Sequence, residues 1–282
     1  MAYHDLARPK LTPPPVYSPP SHERLGPLTG ELELRFTTPP GRYVAPGTGR
    51  LALLAGKNAE PAHAAARRSG RPVIPGTGIK GAVRTIYEMI TGSCDPFDRA
   101  SVCKPGSCCD ACRVFGRLGY LGRAGFGDAD AEQSVTVSVE MVPVPHPPHG
   151  TADVRCYDLT PSVHPRAQPR QVYRGSFVGV LSFRGLIGDE LGKLLLCLGL
   201  APDPQARFPL RLGGVRYDGQ GAVDVEPLSL FLATKDLERG KADYEDTGKR
   251  CAEWAAAGLA ALQEPAVAWL KTYAKTVGGS KR

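Results

Sequence analysis

RPVIPGTGIKG, residues 71–81, is the stretch that decides how this sequence folds. Its Pro-Gly pair predicts a turn, and Thr77 has a hydroxyl that can cap a helix N-terminus. The apolar residues that follow recur at helical spacing: Ile79, Val83, Ile86 and Ile90. Lys80 and Arg84 are four residues apart and share another face of this helix, which Gly92 can end.

Glycine is paired with basic residues in this turn and in two others. They are GRLGYLGRAGFG at 116–127, with Arg117 and Arg123, and RLGGVRYDGQGAV at 211–223, with Gly214 and Arg216. Glycine lets a ligand approach the backbone, and the amides at a helix start attract phosphate. None of the three has the spacing of a Walker A loop or a dinucleotide-binding turn. Phosphate contacts and ordinary turns therefore remain two open interpretations.

The bulk composition is that of a globular protein with a positive charge. The chain has 282 residues, 42% hydrophobic and 22% charged, and a net charge of +7. A polyanionic partner and an ordinary basic protein without nucleic acid explain this charge equally well. The longest apolar run, LLLCLGLA, is too short to cross a bilayer, and the polar start MAYHDLARPK indicates no secretory signal. We therefore predict a cytoplasmic protein without membrane contact.

Five of the eight cysteines lie in one insertion after the predicted helix. A reducing cytosol disfavours disulfides, so these thiols need another explanation. We predict a structural Zn²⁺ site with tetrahedral sulfur ligation by Cys94, Cys103, Cys109 and Cys112. Cys108 competes with Cys109 as a ligand, and a set of free thiols is the alternative.

Hydrophobic periodicity gives the order of the remaining elements. Alternation predicts strands within 31–38, 134–144, 173–183 and 208–232, and helical spacing predicts a second helix within 188–200. With the helix after residue 78, the order is β-α-β-β-α-β, which is ferredoxin-like, in the α+β class.

The chain divides into three parts by composition. Residues 1–29 are proline-rich and predict an extended N-terminal arm, with a disordered tail as the open alternative. Residues 30–232 form the predicted ferredoxin-like domain. This domain contains the zinc loop, 93–115, and a proline-rich protruding loop, 143–170. Residues 233–282 are a helical C-terminal extension.

The glycine-rich motifs carry a resemblance to a known family. IPGTGIKGAVRTIYE at 74–88, followed by CDACRVFG at 109–116 and GRAGFGDA at 122–129, resembles the RAMP proteins of the antiviral CRISPR–Cas systems. LGGVRYDGQGAVDV at 212–225 is similar to a glycine-rich turn near the end of such proteins. The backbone subunits of type III effector complexes are the members that this chain resembles.

The resemblance implies an RRM-related domain that binds CRISPR RNA, with target RNA and other CRISPR-associated subunits as partners. It implies guide-phosphate contacts by Thr77, Gly78, Lys80 and Arg84, and the other glycine-rich turns add Arg117, Arg123, Gly214 and Arg216. By position, residues 143–170 would be the thumb that contacts the guide–target duplex. The family has Ser-Ser where this chain has Thr77 and Gly78, and a Lys is common at Arg216.

Catalysis is where the sequence departs most from the family. Cleaving subunits have an Asp on the loop between the first strand and the first helix, but residues 37–71 contain no Asp and only one acid, Glu60. An Ala/Arg-rich piece of this loop, 59–70, predicts one or two turns of helix. The leading hypothesis is thus a non-catalytic RNA-binding subunit.

Two other functions stay open. The first is an endoribonuclease that cleaves target or processes guide RNA, for which the loop histidines are poor general-base candidates: His63, His146, His149 and His164. The second is a zinc-ribbon RNA-binding protein unrelated to CRISPR.

Overall fold

The computed structural model describes residues 3–12, 16–18, 26–53, 61–94, 103–104, 106–143, 154–157, 167–216, 219–233 and 247–278. The strands are β1 (Tyr3–Leu6), β2 (Leu28–Thr37), β3 (Gly47–Leu53), β4 (Pro61–Ala65), β5 (Arg67–Arg68), β6 (Arg71–Ile74), β7 (Gly116–Arg117), β8 (Tyr120–Leu121), β9 (Ala124–Phe126), β10 (Ala129–Ala131), β11 (Thr136–Pro143), β12 (Val154–Tyr157), β13 (Ala167–Arg174), β14 (Ser176–Leu186), β15 (Leu210–Arg211) and β16 (Ala222–Leu232). The helices are α1 (Gly76–Thr91), α2 (Asp110–Phe115), α3 (Gly188–Cys197), α4 (Thr247–Ala260) and α5 (Glu264–Gly278).

The protein is of mixed α and β structure around one antiparallel main sheet. Its strand order is β15-β16-β2-β14-β10-β6-β5, and β9 also pairs with β14. The alternation in β2 places Leu32, Leu34 and Phe36 in the core. The apolar sides of α1 and α3 belong to the same hydrophobic cluster, so both helices pack on one face of the sheet.

In the predicted β-α-β-β-α-β order, the second strand of the main sheet is not the strand within 134–144. The strand predicted within 134–144 forms, as β11, but it pairs with β13 in a separate sheet of order β11-β13-β4-β3. The glycine-rich segment that follows α2 forms β9 and β10 instead, and both pair with β14. The reason is length: these strands have three residues each, too few to show alternation.

The helical turn predicted within 59–70 is also wrong for the described residues of that segment. They form β4 and β5, followed by a turn at Ser69 and Gly70, whose φ angles are 49° and 80°. Strand β4 hydrogen-bonds to β3 on one side and to β13 on the other. These long-range pairings outweigh the helix propensity of the alanines.

Helix α1 begins one residue earlier than Thr77, so the predicted Thr77 cap is wrong. The N-cap position is Pro75, which has no capping side chain. Asp128, at the end of the glycine-rich segment, accepts a hydrogen bond from the amide of Gly76 at 2.8 Å. The C-terminal end agrees with the prediction, because Gly92 has φ 62° and closes the helix.

The C-terminal helices pack into the same hydrophobic cluster as the main sheet. Helices α3 and α4 approach closely where two glycines meet, since a Cβ at Gly192 would overlap the carbonyl oxygen of Trp254 and lie against Gly258. Pro265 occupies the first turn of α5, where its missing amide is tolerated. Within the described ranges, no helix has both the length and the hydropathy needed to cross a bilayer.

Candidate metal centre and nucleic-acid interface

Four cysteine side chains meet between α1 and α2. The Sγ atoms of Cys94, Cys103, Cys109 and Cys112 all lie within 4.8 Å of one another. Cys94 and Cys112 are 3.5 Å apart, and Cys109 and Cys94 are 3.6 Å apart. Four thiolates on one Zn²⁺ at about 2.3 Å would be separated by roughly 3.8 Å. The cluster has the spacing that a tetrahedral metal ion requires.

The local fold explains why Cys109 joins this cluster and Cys108 does not. Cys109 is the N-cap residue of α2, and its amide donates to Cys103 Sγ at 3.2 Å. Cys112 follows on the first turns of the same helix, whose N-terminal amides favour thiolates. Cys108 is fully buried and exchanges backbone hydrogen bonds with Tyr17.

The thiols of the cluster share protons unequally. Hydrogen bonds from Cys112 and Cys94 hold the pKa of Cys109 well below its usual range. The hydrogen bond to Cys109 raises the pKa of Cys94 to about 11, and the same contact raises the pKa of Cys112. A metal ion must therefore displace protons from this group when it binds.

Arg84, predicted to contact RNA, is engaged with the interior of the protein. Its Nε donates to Glu88 Oε1 at 2.7 Å, and its Nη1 donates to the carbonyl of Gly116 at 3.1 Å. Burial alone would lower the pKa of Arg84, but the hydrogen bond to Glu88 and the charge of that carboxylate raise it, with smaller contributions from the sulfurs of Cys112 and Cys94. Arg84 thus connects α1 to the turn after α2 and lies near the four clustered cysteines.

Arg117 and Arg123 are also hydrogen-bonded within the protein. Arg117 Nη1 donates to the carbonyls of the cysteine insertion, at Cys103, Lys104 and Ser107. Arg123 is buried and forms an ion pair with Glu190. Arg117 therefore stabilises the cysteine insertion, and Arg123 pairs with a carboxylate in the protein interior.

The start of α1 presents an open surface. Thr77 and Gly78 are exposed, and a Cβ at Gly78 or Gly81 would have no atom within 4 Å. Each glycine inside a helix costs about 1 kcal/mol relative to alanine, so two at open positions need a reason beyond packing. Lys80 has no ion-pair partner in the described part of the chain, and burial together with the charge of Arg84 lowers its pKa.

Two of the glycine-rich motifs meet behind this surface. A Cβ at Gly76 would overlap the carbonyl oxygen of Phe126 and crowd Gly127, so only glycine allows α1 to approach β9. The third motif lies beside the middle of α1. There a cleft of about 50 Å³ brings Thr85 of α1 together with Arg211 and Arg216.

A second polar cluster, which no sequence pattern indicates, lies beside the third motif. With the Gln168 amide oriented to satisfy both neighbours, its nitrogen donates to His63 Nε2 at 3.1 Å and its oxygen accepts from Arg170 Nε at 3.0 Å. Gly214 is exposed, and a Cβ there would lie 3.2 Å from Arg170 Nη1. His63 and Gln168 are 105 residues apart, so only the pairing of β4 with β13 joins them.

Several predicted residues lie outside the described part of the chain. They are Glu60, His146, His149 and His164. Most of the protruding loop 143–170 is also outside it, apart from β12 and the start of β13.

A comparison with family models finds a match over residues 47–193 to the RAMP superfamily. A comparison with curated proteins finds no match. The matched residues contain α1, the four clustered cysteines, the glycine-rich strands and most of α3. The match spans just over half of the 282 residues, so the chain belongs to the RAMP superfamily, a CRISPR-associated family of RNA-binding type.

Proposed function

We propose that this protein is a structural subunit of a type III CRISPR effector ribonucleoprotein. It binds CRISPR RNA and, with other effector subunits, helps to hold guide and target RNA. The observation that carries the proposal is the open start of α1, where Gly78 and Gly81 leave the backbone uncovered beside Lys80. Proteins contact the phosphates of a nucleic acid with positive side chains and with exposed main chain, and the start of α1 offers both.

The proposed domain at 30–232 is ferredoxin-like. Its support is the strand order β16-β2-β14-β10, with α1 between the first and second strands in sequence and α3 between the third and fourth. The arm at 1–29 and the helical extension at 233–282 are additions to this domain in our proposal. The reduced cysteines of the metal cluster fit the cytoplasmic location that we propose.

The geometry separates the predicted RNA contacts into two groups. Thr77, Gly78, Lys80, Gly214 and Arg216 lie at the surface, and we propose them as direct contacts. Arg84 and Arg117 would act through the metal loop that they hold, and Arg123 through the buried interior.

We add Arg170 and His63 to the direct contacts. Arg170 lies against Gly214. Arg170 and His63 belong to β13 and β4 of the same sheet, and residues 144–166 connect β11 to β13 of that sheet. By position, this loop is the proposed thumb, so its base would continue the RNA surface from the third glycine-rich motif.

The four cysteines are proposed as a structural zinc site. All four donors are sulfur, which leaves no ligand position for a reactive water. The metal would fix the insertion between α1 and α2, and through Arg84 and Arg117 it would fix the start of the RNA surface.

The test is RNA binding by fluorescence anisotropy, with CRISPR repeat RNA and an unrelated RNA of equal length. Lys80→Ala should weaken both affinities about equally and reduce the salt slope by roughly 0.7, the value for one phosphate contact on a single strand. Lys275→Ala removes the same charge from an exposed position on α5 and serves as the matched control. If Lys80→Ala and Lys275→Ala give equal slopes, the start of α1 is not a phosphate site.

A further inference from the structure

A cleft of about 1010 Å³ lies between the main sheet and the two C-terminal helices. Its lining comes from the loop after β2, the loop between α3 and β15, the start of β16, and helices α4 and α5. Pockets that bind small ligands usually measure about 300–1,000 Å³, so this cleft is at the upper end of that range. It is large enough to hold several residues of a peptide.

None of the described residues that line this cleft belongs to the part of the chain that matches the RAMP superfamily. The match covers residues 47–193, whereas the lining residues lie at 39–42 and at 199–278. The start of α1, where we propose RNA contacts, lies inside the match. The family match therefore does not explain the cleft, and the chemistry of its own lining has to indicate the ligand.

Prolines form much of the apolar lining. Six of them line the cleft: Pro39, Pro40, Pro202, Pro204, Pro209 and Pro227. Proline has a fixed φ angle, so these surfaces are rigid and lose little conformational entropy when a ligand binds. Proline also has no amide hydrogen to donate. The lining therefore favours a ligand that contributes apolar side chains.

The charged residues of the lining are mostly basic. Four cations line the cleft: Arg42, Arg207, Lys271 and Lys275. Asp224 is the one acid among the described lining residues. Lys271 is already paired with Asp203 at 2.9 Å, so its charge is compensated.

The other three cations keep their charge. Arg42 donates to the carbonyl of Gly219 at 3.1 Å. Arg207 donates to the carbonyl of Ala201 at 2.7 Å. A carbonyl fixes a guanidinium but does not neutralise it, and Lys275 is exposed without an ion-pair partner in the described ranges. The cleft is therefore positive, and a ligand with carboxylates or phosphates would be complementary to it.

A nucleic acid does not fit this lining. Single-stranded RNA stacks its bases on accessible aromatic rings. Phe208, the one aromatic residue of the described lining, is 6% exposed and packs edge-on against Tyr273. Every unit of a phosphate backbone is charged and would be repelled by Asp224, whereas a peptide can place a neutral residue there.

We propose that this cleft binds an acidic segment of another protein, in which carboxylates are combined with apolar side chains. The carboxylates would contact Arg42, Arg207 and Lys275, and the apolar side chains would lie on the proline surfaces. Arg207 and Lys275 are exposed, so added salt should weaken the binding. The cleft is separate from the RNA surface that we propose, and this inference does not depend on that function.

The test is fluorescence anisotropy at low salt, with nuclease-treated protein and a labelled peptide of repeated Glu-Glu-Leu. This peptide should bind with micromolar affinity. Repeats of Gln-Gln-Leu lack the charge, and repeats of Glu-Glu-Ser lack the apolar side chains. Each of these two peptides should bind at least about tenfold more weakly, because the cleft offers both kinds of contact.

Two alanines on α4 provide a matched pair of variants. Ala252 lines the cleft, and Ala257 is exposed on the same helix but outside the lining. Ala252→Glu should weaken peptide binding at least about tenfold, because it places a like charge against the ligand. Ala257→Glu should bind the peptide like the wild type.

Two lysines separate this cleft from the proposed RNA surface. Lys275→Ala should weaken peptide binding about threefold or more and leave the RNA affinity unchanged, because it removes one exposed charge of the cleft. Lys80→Ala should do the converse.

Three results would overturn the proposal. The first is a wild type that does not bind the Glu-Glu-Leu peptide, or equal binding by Ala252→Glu and Ala257→Glu. The second is a loss of RNA affinity in Ala252→Glu that matches the loss of peptide affinity, which would assign the cleft to nucleic acid. The third is peptide binding that requires neutralisation of the acidic stretch DYED, 243–246, which would assign the cleft to the chain's own sequence.

Discussion

Tyr17 and Cys108 exchange two backbone hydrogen bonds, from Tyr17 N to Cys108 O at 2.8 Å and from Cys108 N to Tyr17 O at 2.7 Å. The guanidinium of Arg113 lies 4.1 Å from the centre of the Tyr17 ring. The N-terminal arm is thus attached to the residue next to Cys109, one of the four proposed metal ligands. Farther toward the N-terminus, Thr12 bonds Gln263 of the loop before α5, and β1 pairs with β12. The arm connects the metal loop to the strand inside the proposed thumb.

The first prediction follows from this attachment. Removal of the metal should increase amide hydrogen exchange in the arm and in β12, because the loop that holds Tyr17 loses its fixed shape. Tyr17→Ala should have a smaller effect of the same kind without metal loss. Val16→Ala is the control, since Val16 is 69% exposed. Unchanged protection of residues 3–12 after chelation would show that the arm is held independently of the metal.

The second prediction concerns metal content. The protein should contain about one zinc per chain after a chelator wash, and Cys109→Ser should lose it. Cys108→Ser should keep the metal, because Cys108 is outside the sulfur cluster. Elemental analysis of the three proteins measures this directly. Less than half an equivalent in the wild type, or loss in Cys108→Ser alone, contradicts the assignment.

The third prediction is the pH dependence of zinc binding. Hydrogen bonding to Cys109 raises the pKa of Cys94 to about 11, so this thiol is protonated near neutral pH without metal. Zinc binds the thiolate, so protons compete with it and the affinity should fall as the pH decreases from about 8 to about 6. Competition with a chromophoric chelator gives the affinity, and calorimetry in buffers of different ionisation enthalpy gives the protons released. An affinity independent of pH would exclude thiol ligation.

The fourth prediction separates the roles of Arg84 and Lys80. Arg84→Ala removes the guanidinium from the buried carboxylate of Glu88, whose side chain is 5% exposed. Since Arg84 itself is partly exposed, we expect a loss of about 2–3 kcal/mol, below the range for a fully buried pair. Lys80→Ala should change stability by less than about 0.5 kcal/mol. Urea unfolding measures both, and equal stabilities would remove the structural role of Arg84.

The fifth prediction is that the protein does not cleave RNA. Asp128, an acid near the first helix, is already bonded to the amide of Gly76, and the Nε2 of His63 is bonded to Gln168. The assembled complex, supplied with divalent metal and guide-complementary RNA, should give no cuts opposite this subunit. Cuts that disappear in Glu60→Ala, Asp128→Ala or His63→Ala would favour the endoribonuclease alternative.

Local spacing was sufficient for the elements whose pattern is complete within a few turns or residues. The apolar positions of α1 and its end at Gly92 follow from helical periodicity, and the strands β2 and β11 follow from alternation. The four clustered cysteines also follow from their density along the chain and from the CxxC spacing of Cys109 and Cys112, although the spacing left Cys108 as a competing ligand.

Long-range pairing decided the remainder. The main sheet takes the short strands β9 and β10 rather than β11, because backbone pairing with β14 does not depend on a visible sequence pattern. Asp128 replaces Thr77 at the start of α1 for the same reason, since it approaches from 52 residues away. The sequence by itself determined which residues are apolar, basic or candidate metal ligands. Only the tertiary structure decided which arginines remain at the surface, because burial and ion pairing with Glu88 and Glu190 arise from contacts that no local spacing encodes.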